Sequence, residues 1–153
     1  MAVAGAAVLL VSGANAPARA QTATLNLAKL QVRLWYQETG RLSDNIAPPA
    51  SPILWNTIGG AGDSEEIAND ALFTAQLVTV GHQFVAQQIL LAATDSTGRV
   101  LAQRSYDHVL TSVAGAAVLP LWVPDVGCAG TVYFSARIGA EMGTVSIDFL
   151  CGE

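Results

Sequence analysis

From Gln21 onward, apolar and polar positions alternate with a period of two, the pattern of strands with one buried and one solvated face. The clearest run is 30–36, where Leu30, Val32, Leu34 and Tyr36 share one face and Gln31, Arg33 and Trp35 the other. Segment 131–138 alternates as cleanly, with Val132, Phe134, Ala136 and Ile138 inward. Val145, Ile147 and Phe149 repeat the pattern in a last strand. Noisier strands are predicted at 72–80, 88–94, 99–107 and 116–123. Seven such strands joined by short turns predict an all-β, antiparallel β-sandwich, immunoglobulin-like in strand count and spacing.

Turn chemistry agrees with this division. Asp95-Ser96-Thr97-Gly98 forms a hairpin loop between two strands, and 139–143 joins the last two. Folding that final hairpin about its centre brings the only two cysteines, Cys128 and Cys151, to its open end. Joined, they close a loop of about 24 residues, worth on the order of 3 kcal/mol in the chain-entropy model. The pair does not follow the antibody pattern, in which a disulfide joins two sheets with a Trp between its cysteines in sequence.

Segment 41–69 breaks the alternation. It carries Pro48, Pro49 and Pro52, which remove ladder donors and exclude a central strand. Residues 53–58 then predict a short edge strand, and Gly59-Gly60-Ala61-Gly62 leads into an acidic run. A loop this long in a small domain is a first place to look for a site. Asp63, Glu65, Glu66 and Asp70 put four carboxylates within eight residues. Asp63 and Glu66 have capping-box spacing, which predicts a helical turn; the alternatives are a calcium site or a contact with a protein partner. The spacing is not that of an EF-hand loop.

The chain has three tryptophans. Trp35 falls on the polar face of its strand and Trp55 borders the irregular loop. Either could stack a sugar ring or anchor a partner, or pack beneath the Pro-rich segment. Trp122 lies in an apolar strand, where core packing is the expectation.

The N-terminus differs in composition. Residues 2–11 are small or apolar and uncharged, followed by Ala18-Arg19-Ala20. The run is too short to span a bilayer and fits the apolar core of an export signal, with cleavage after Ala20. It lacks a preceding Lys or Arg. The division predicted is residues 1–20 as signal peptide and 21–153 as one sandwich domain with a C-terminal disulfide hairpin. A paired cysteine count agrees with a periplasmic or secreted location.

Charge and composition narrow the function. Hydrophobic residues make up 52% and charged residues 12%, which excludes a disordered chain. A net charge of −5, with basic residues scattered singly, argues against nucleic acid as a partner. No later run is long and apolar enough to span a membrane. His82 and His108 are the only histidines, and neither a G-x-S-x-G nucleophile nor a P-loop occurs. No catalytic residues or cofactor are assigned, calcium at the acidic run being the one candidate ligand. The leading expectation is an exported, non-catalytic binding or structural module whose partner is a protein or a glycan. A carbohydrate-binding module, calcium-dependent or not, is the alternative, and a hydrolase the third.

Overall fold

The alternation at 30–36 belongs to an eleven-residue strand, β1 (Asn26–Tyr36), which buries Val32, Leu34 and Tyr36 almost completely. The computed structural model describes residues 23–152, so the predicted signal segment lies outside the described residues. After β1 come β2 (Arg41–Leu42), β3 (Leu54–Trp55), β4 (Asp70–Val78), β5 (Phe84–Val85) and β6 (Ile89–Asp95). The chain continues through β7 (Val100–Tyr106), β8 (Val109–Leu110), β9 (Ala116–Val123), β10 (Gly130–Ile138) and β11 (Glu141–Leu150). Seven of these are long, and they fall where the alternation places them.

The strands form a four-stranded sheet, β2-β1-β4-β9, and a five-stranded sheet, β3-β11-β10-β6-β7. A small ribbon, β5-β8, pairs with neither sheet and adds Val85 and Val109 to the core. Numbered among themselves, the seven long strands run first-second-fifth in one sheet and seventh-sixth-third-fourth in the other. An immunoglobulin constant domain keeps its fourth strand with the first, second and fifth; here that strand, β7, has joined the opposite sheet.

The core lies between the two inner faces. Ala71, Phe73, Ala75 and Leu77 from β4 meet Val132, Phe134 and Ala136 from β10, all fully buried. The Phe73 and Phe134 rings, 5.6 Å apart, join the sheets. Phe149 and Ile147 extend the core along β11.

Three local expectations are corrected. The β10–β11 connection is a two-residue turn, Gly139-Ala140, rather than 139–143, because Ile138 already pairs with Glu141. Gly139, at φ 58°, supplies the left-handed conformation that so tight a turn demands. Gly143 therefore sits inside the strand, where a Cβ would collide with the Leu27 side chain of β1. The helical turn expected at the acidic run is instead a 3₁₀ turn at Thr57–Gly59, preceded by Asn56 in the left-handed region. Finally, Trp122 faces solvent and is 42% exposed. Leu119, Leu121 and Val123 occupy the inner positions of β9, so Pro120 and Trp122 take the outer ones.

Cys128 and Cys151 are joined, with Cα atoms 5.2 Å apart. The bond ties the end of β11 to the turn before β10. Among the described residues no helix is long and apolar enough to cross a membrane.

Candidate functional site

Strand pairing lays out the outer face of the four-stranded sheet in rows. Arg33, Leu72 and Trp122 form one row across β1, β4 and β9; Gln31, Thr74 and Pro120 form the next. Lys29, Gln76 and Val118 form a third, and Trp35 pairs with Asp70 on one side and Leu42 on the other. The face thus carries two tryptophans near one end and two cations further along β1.

Trp35 and Trp122 meet edge to face, with ring centroids 5.4 Å apart and planes at 69°. Edge-to-face packing matches the positive rim of one ring to the negative face of the other. Asp70 fixes the arrangement. Its Oδ2 accepts a 3.1 Å hydrogen bond from the Trp122 indole Nε1–H, and its Oδ1 one of 3.1 Å from the Asp125 backbone N–H. Asp125 is itself held by Asn69, whose Nδ2 donates to Asp125 Oδ1 at 2.7 Å. The Trp122 ring is oriented by a chain of polar contacts and still leaves two-fifths of its surface to solvent.

The irregular loop bridges the open side of the sandwich. Beyond the short β2, β1 would have orphaned backbone groups on that edge, and the loop satisfies them. Ser43 Oγ accepts from Leu34 N–H and Asn45 Oδ1 from Val32 N–H, each at 2.9 Å. Ser43 N–H and Ile46 N–H donate in return to Leu34 and Val32 carbonyls. A cleft of about 370 Å³ remains beneath the loop, lined in part by Tyr36, Asp44, Asn45, Asp63 and Glu65. Burial pushes the Tyr36 phenol above its ordinary range.

The four predicted calcium ligands occupy three separate settings. Asp63 Oδ2 accepts from Ile53 N–H at 2.7 Å, which closes the loop onto β3. Glu65 and Glu66 both pair with Arg41, and Glu66 also accepts from the Thr39 hydroxyl at 2.8 Å. The Arg41 guanidinium beside Glu66 holds that carboxyl below the usual carboxylate range. Asp70 serves Trp122 and Asp125. Among the described residues no group of three or more His, Cys, Asp or Glu side chains is placed to hold a metal ion.

The two predicted ligand tryptophans are not brought together. Trp55 is exposed on β3, at the edge of the five-stranded sheet, with its ring against Gly152. The partner of Trp35 is Trp122, which the apolar character of its strand predicts to lie in the core. Pro120 marks β9 as an edge strand, which it is, but says nothing of the face that Trp122 takes. Lys29 and Arg33 were likewise missed as site residues. Among the described residues, Arg41 and Arg99 pair with carboxylates, while Lys29, Arg33, Arg104 and Arg137 make no such pair, and of these four Lys29 and Arg33 share the face with the tryptophans.

No protein-family model and no curated protein matches the chain. Among solved structures, the chain is similar to the C-terminal domain of wzt at 12% identity, covering 84% of this chain and 74% of that one, with a TM-score of 0.42. It is similar to the ligand binding region of Serine-glutamate repeat protein A of Enterococcus faecium at 9% identity, covering 54% and 83%, with a TM-score of 0.32. A β-D-glucoside glucohydrolase from Trichoderma reesei gives 12% identity, 85% and 19% coverage, and a TM-score of 0.44. Likeness at this level carries no argument about the function of this chain.

Proposed function

We propose that the protein is an exported, non-catalytic binding module that takes a saccharide on the outer face of its four-stranded sheet. The observation that carries this reading is the solvent-facing Trp35–Trp122 pair, held in place by Asp70. An indole face is a broad apolar surface that suits the apolar C–H face of a sugar ring, whose hydroxyl edges are left to neighbouring polar side chains. Gln31, Thr74 and Gln76 lie on the same face and offer hydroxyl and amide partners. Export is supported by the apolar segment ending at Ala18-Arg19-Ala20 and by the disulfide.

Titration of intrinsic tryptophan fluorescence with a panel of soluble oligosaccharides tests the site. A saturable change is expected for at least one of them, with Trp122→Ala and Trp35→Ala each weakening it about tenfold or more. Trp55→Ala is expected to leave the affinity unchanged. Loss of binding on Trp55→Ala, with the other two variants unaffected, would move the site to the β3 edge.

A further inference from the structure

We propose that the saccharide bound on this face is acidic, its anionic groups being met by Arg33 and Lys29. The inference rests on the reading of the Trp35–Trp122 pair as a saccharide site and adds the ligand's charge to it.

Two observations carry the inference. The first is the angle between the indoles. At 69° the rings cannot form one flat platform, so a sugar ring stacked on either indole runs against the edge of the other. The site therefore does not fit the flat face of a crystalline polymer. A ligand extending from the pair lies along the strands, over the rows that hold Arg33 and then Lys29. Arg33 is two residues from Trp35 along β1, about 7 Å, and two strand spacings from Trp122, about 10 Å. Lys29 is about 13 Å further along the same face.

The second observation is charge. The chain carries a net charge of −5, and its carboxylates neutralise Arg41 and Arg99 elsewhere. Lys29 and Arg33 share the face with Asp70, beside which Asp125 stands, and neither of these carboxylates lies within ion-pair distance of either cation. Two cations without an ion-pair partner thus lie on the face that carries the aromatic pair, on an otherwise acidic protein. A guanidinium presents a planar donor fork that matches a carboxylate or a phosphate or sulfate ester, and the ammonium of Lys29 adds a second point charge.

Calorimetric titration of the mature chain tests this, using uronate, sulfated and phosphorylated oligosaccharides, each beside its neutral counterpart. At least one acidic member is expected to bind about tenfold more tightly than its neutral form, with the preference fading in about 1 M salt. Which acidic member is preferred tells a sugar carboxylate from an ester. Arg33→Gln combined with Lys29→Gln should abolish the preference, Arg33→Lys should retain part of it, and Trp122→Ala should weaken acidic and neutral ligands alike. Melting curves of the two cation variants should overlay the parent, since both residues lie on the solvent face. Equal binding of acidic and neutral forms, or a preference that survives the double variant, overturns the inference and leaves the saccharide site standing. Absence of binding throughout the panel, or binding indifferent to Trp122→Ala, overturns the saccharide site itself.

Discussion

Asp95 carries four hydrogen bonds on one carboxylate. Its Oδ1 accepts from Thr97 N–H, the Thr97 hydroxyl and Arg99 N–H, and its Oδ2 from Arg99 Nε at 2.9 Å. The Thr97 hydroxyl first, and then the Arg99 guanidinium, hold this carboxyl well below the usual carboxylate range. A depressed folded-state pKa contributes stability that is complete above the unfolded pKa and is lost as pH falls toward the folded one. Asp95→Asn should therefore lower the melting temperature by a constant amount near neutral pH, and the difference should shrink below about pH 4. Thermal melts of both proteins across that range provide the check; a difference that stays constant into acid would mean that the charge of Asp95 does not hold the turn. Single residues differed in how far their roles could be read. The outward position of Trp35 follows from its alternation with Leu34 and Tyr36. That of Trp122 was obscured because β9, Ala-Ala-Val-Leu-Pro-Leu-Trp-Val, is apolar at both parities. The role of Asp70 was hidden by its acidic neighbours, although it is the first residue of β4 and stands beside Trp35.

At the scale of elements, the long strands were legible because burying one face of a sheet imposes a period of two on the sequence. The 43–69 loop was not, because Ser43, Asn45 and Asp63 satisfy backbone groups one at a time and leave no period to read. That accounting also bears on calcium. Asp63, Glu66 and Asp70 each accept donors from a different part of the chain, so gathering them around an ion would first break those contacts. Added calcium is expected to leave the melting temperature unchanged. An ion bound only by the folded state would stabilise by about 2.7 kcal/mol at a hundredfold excess over its dissociation constant. Asp63→Asn with Glu66→Gln should lower the melting temperature equally with and without the ion, by loosening the loop from β3 and from Arg41. A saturable calcium shift that vanishes in this double variant would establish a calcium site at the loop and make the saccharide site a candidate for calcium dependence.

Across the whole molecule, strand register distinguishes two ends. Tyr36, Asp70, Val123, Gly130 and Leu150 mark one end, which holds the tryptophan pair, the irregular loop and the disulfide. The chain enters the described fold at the other, near the exposed Val80 and Phe84. The Cys128–Cys151 bond lies outside the Phe73–Phe134 core and anchors the last strand where a terminus would otherwise fray. Its removal by Cys128→Ser with Cys151→Ser should therefore leave the circular dichroism spectrum unchanged. The cost in stability is on the order of 3 kcal/mol, because the unfolded chain regains the freedom of the loop that the bond closed. For a domain of this size that corresponds to a fall in melting temperature of roughly 10 °C. Non-reducing peptide mapping of protein recovered from its native host reads the bond directly and the amino terminus with it. A Cys128–Cys151 linked peptide, and an N-terminal peptide starting at or within a few residues of Gln21, are expected together, because an oxidising compartment and removal of a leader are consequences of the same export. Protein carrying residues 1–20 and two free thiols would contradict export. A linked peptide in protein that retains residues 1–20 would keep the staple and overturn the cleavage site.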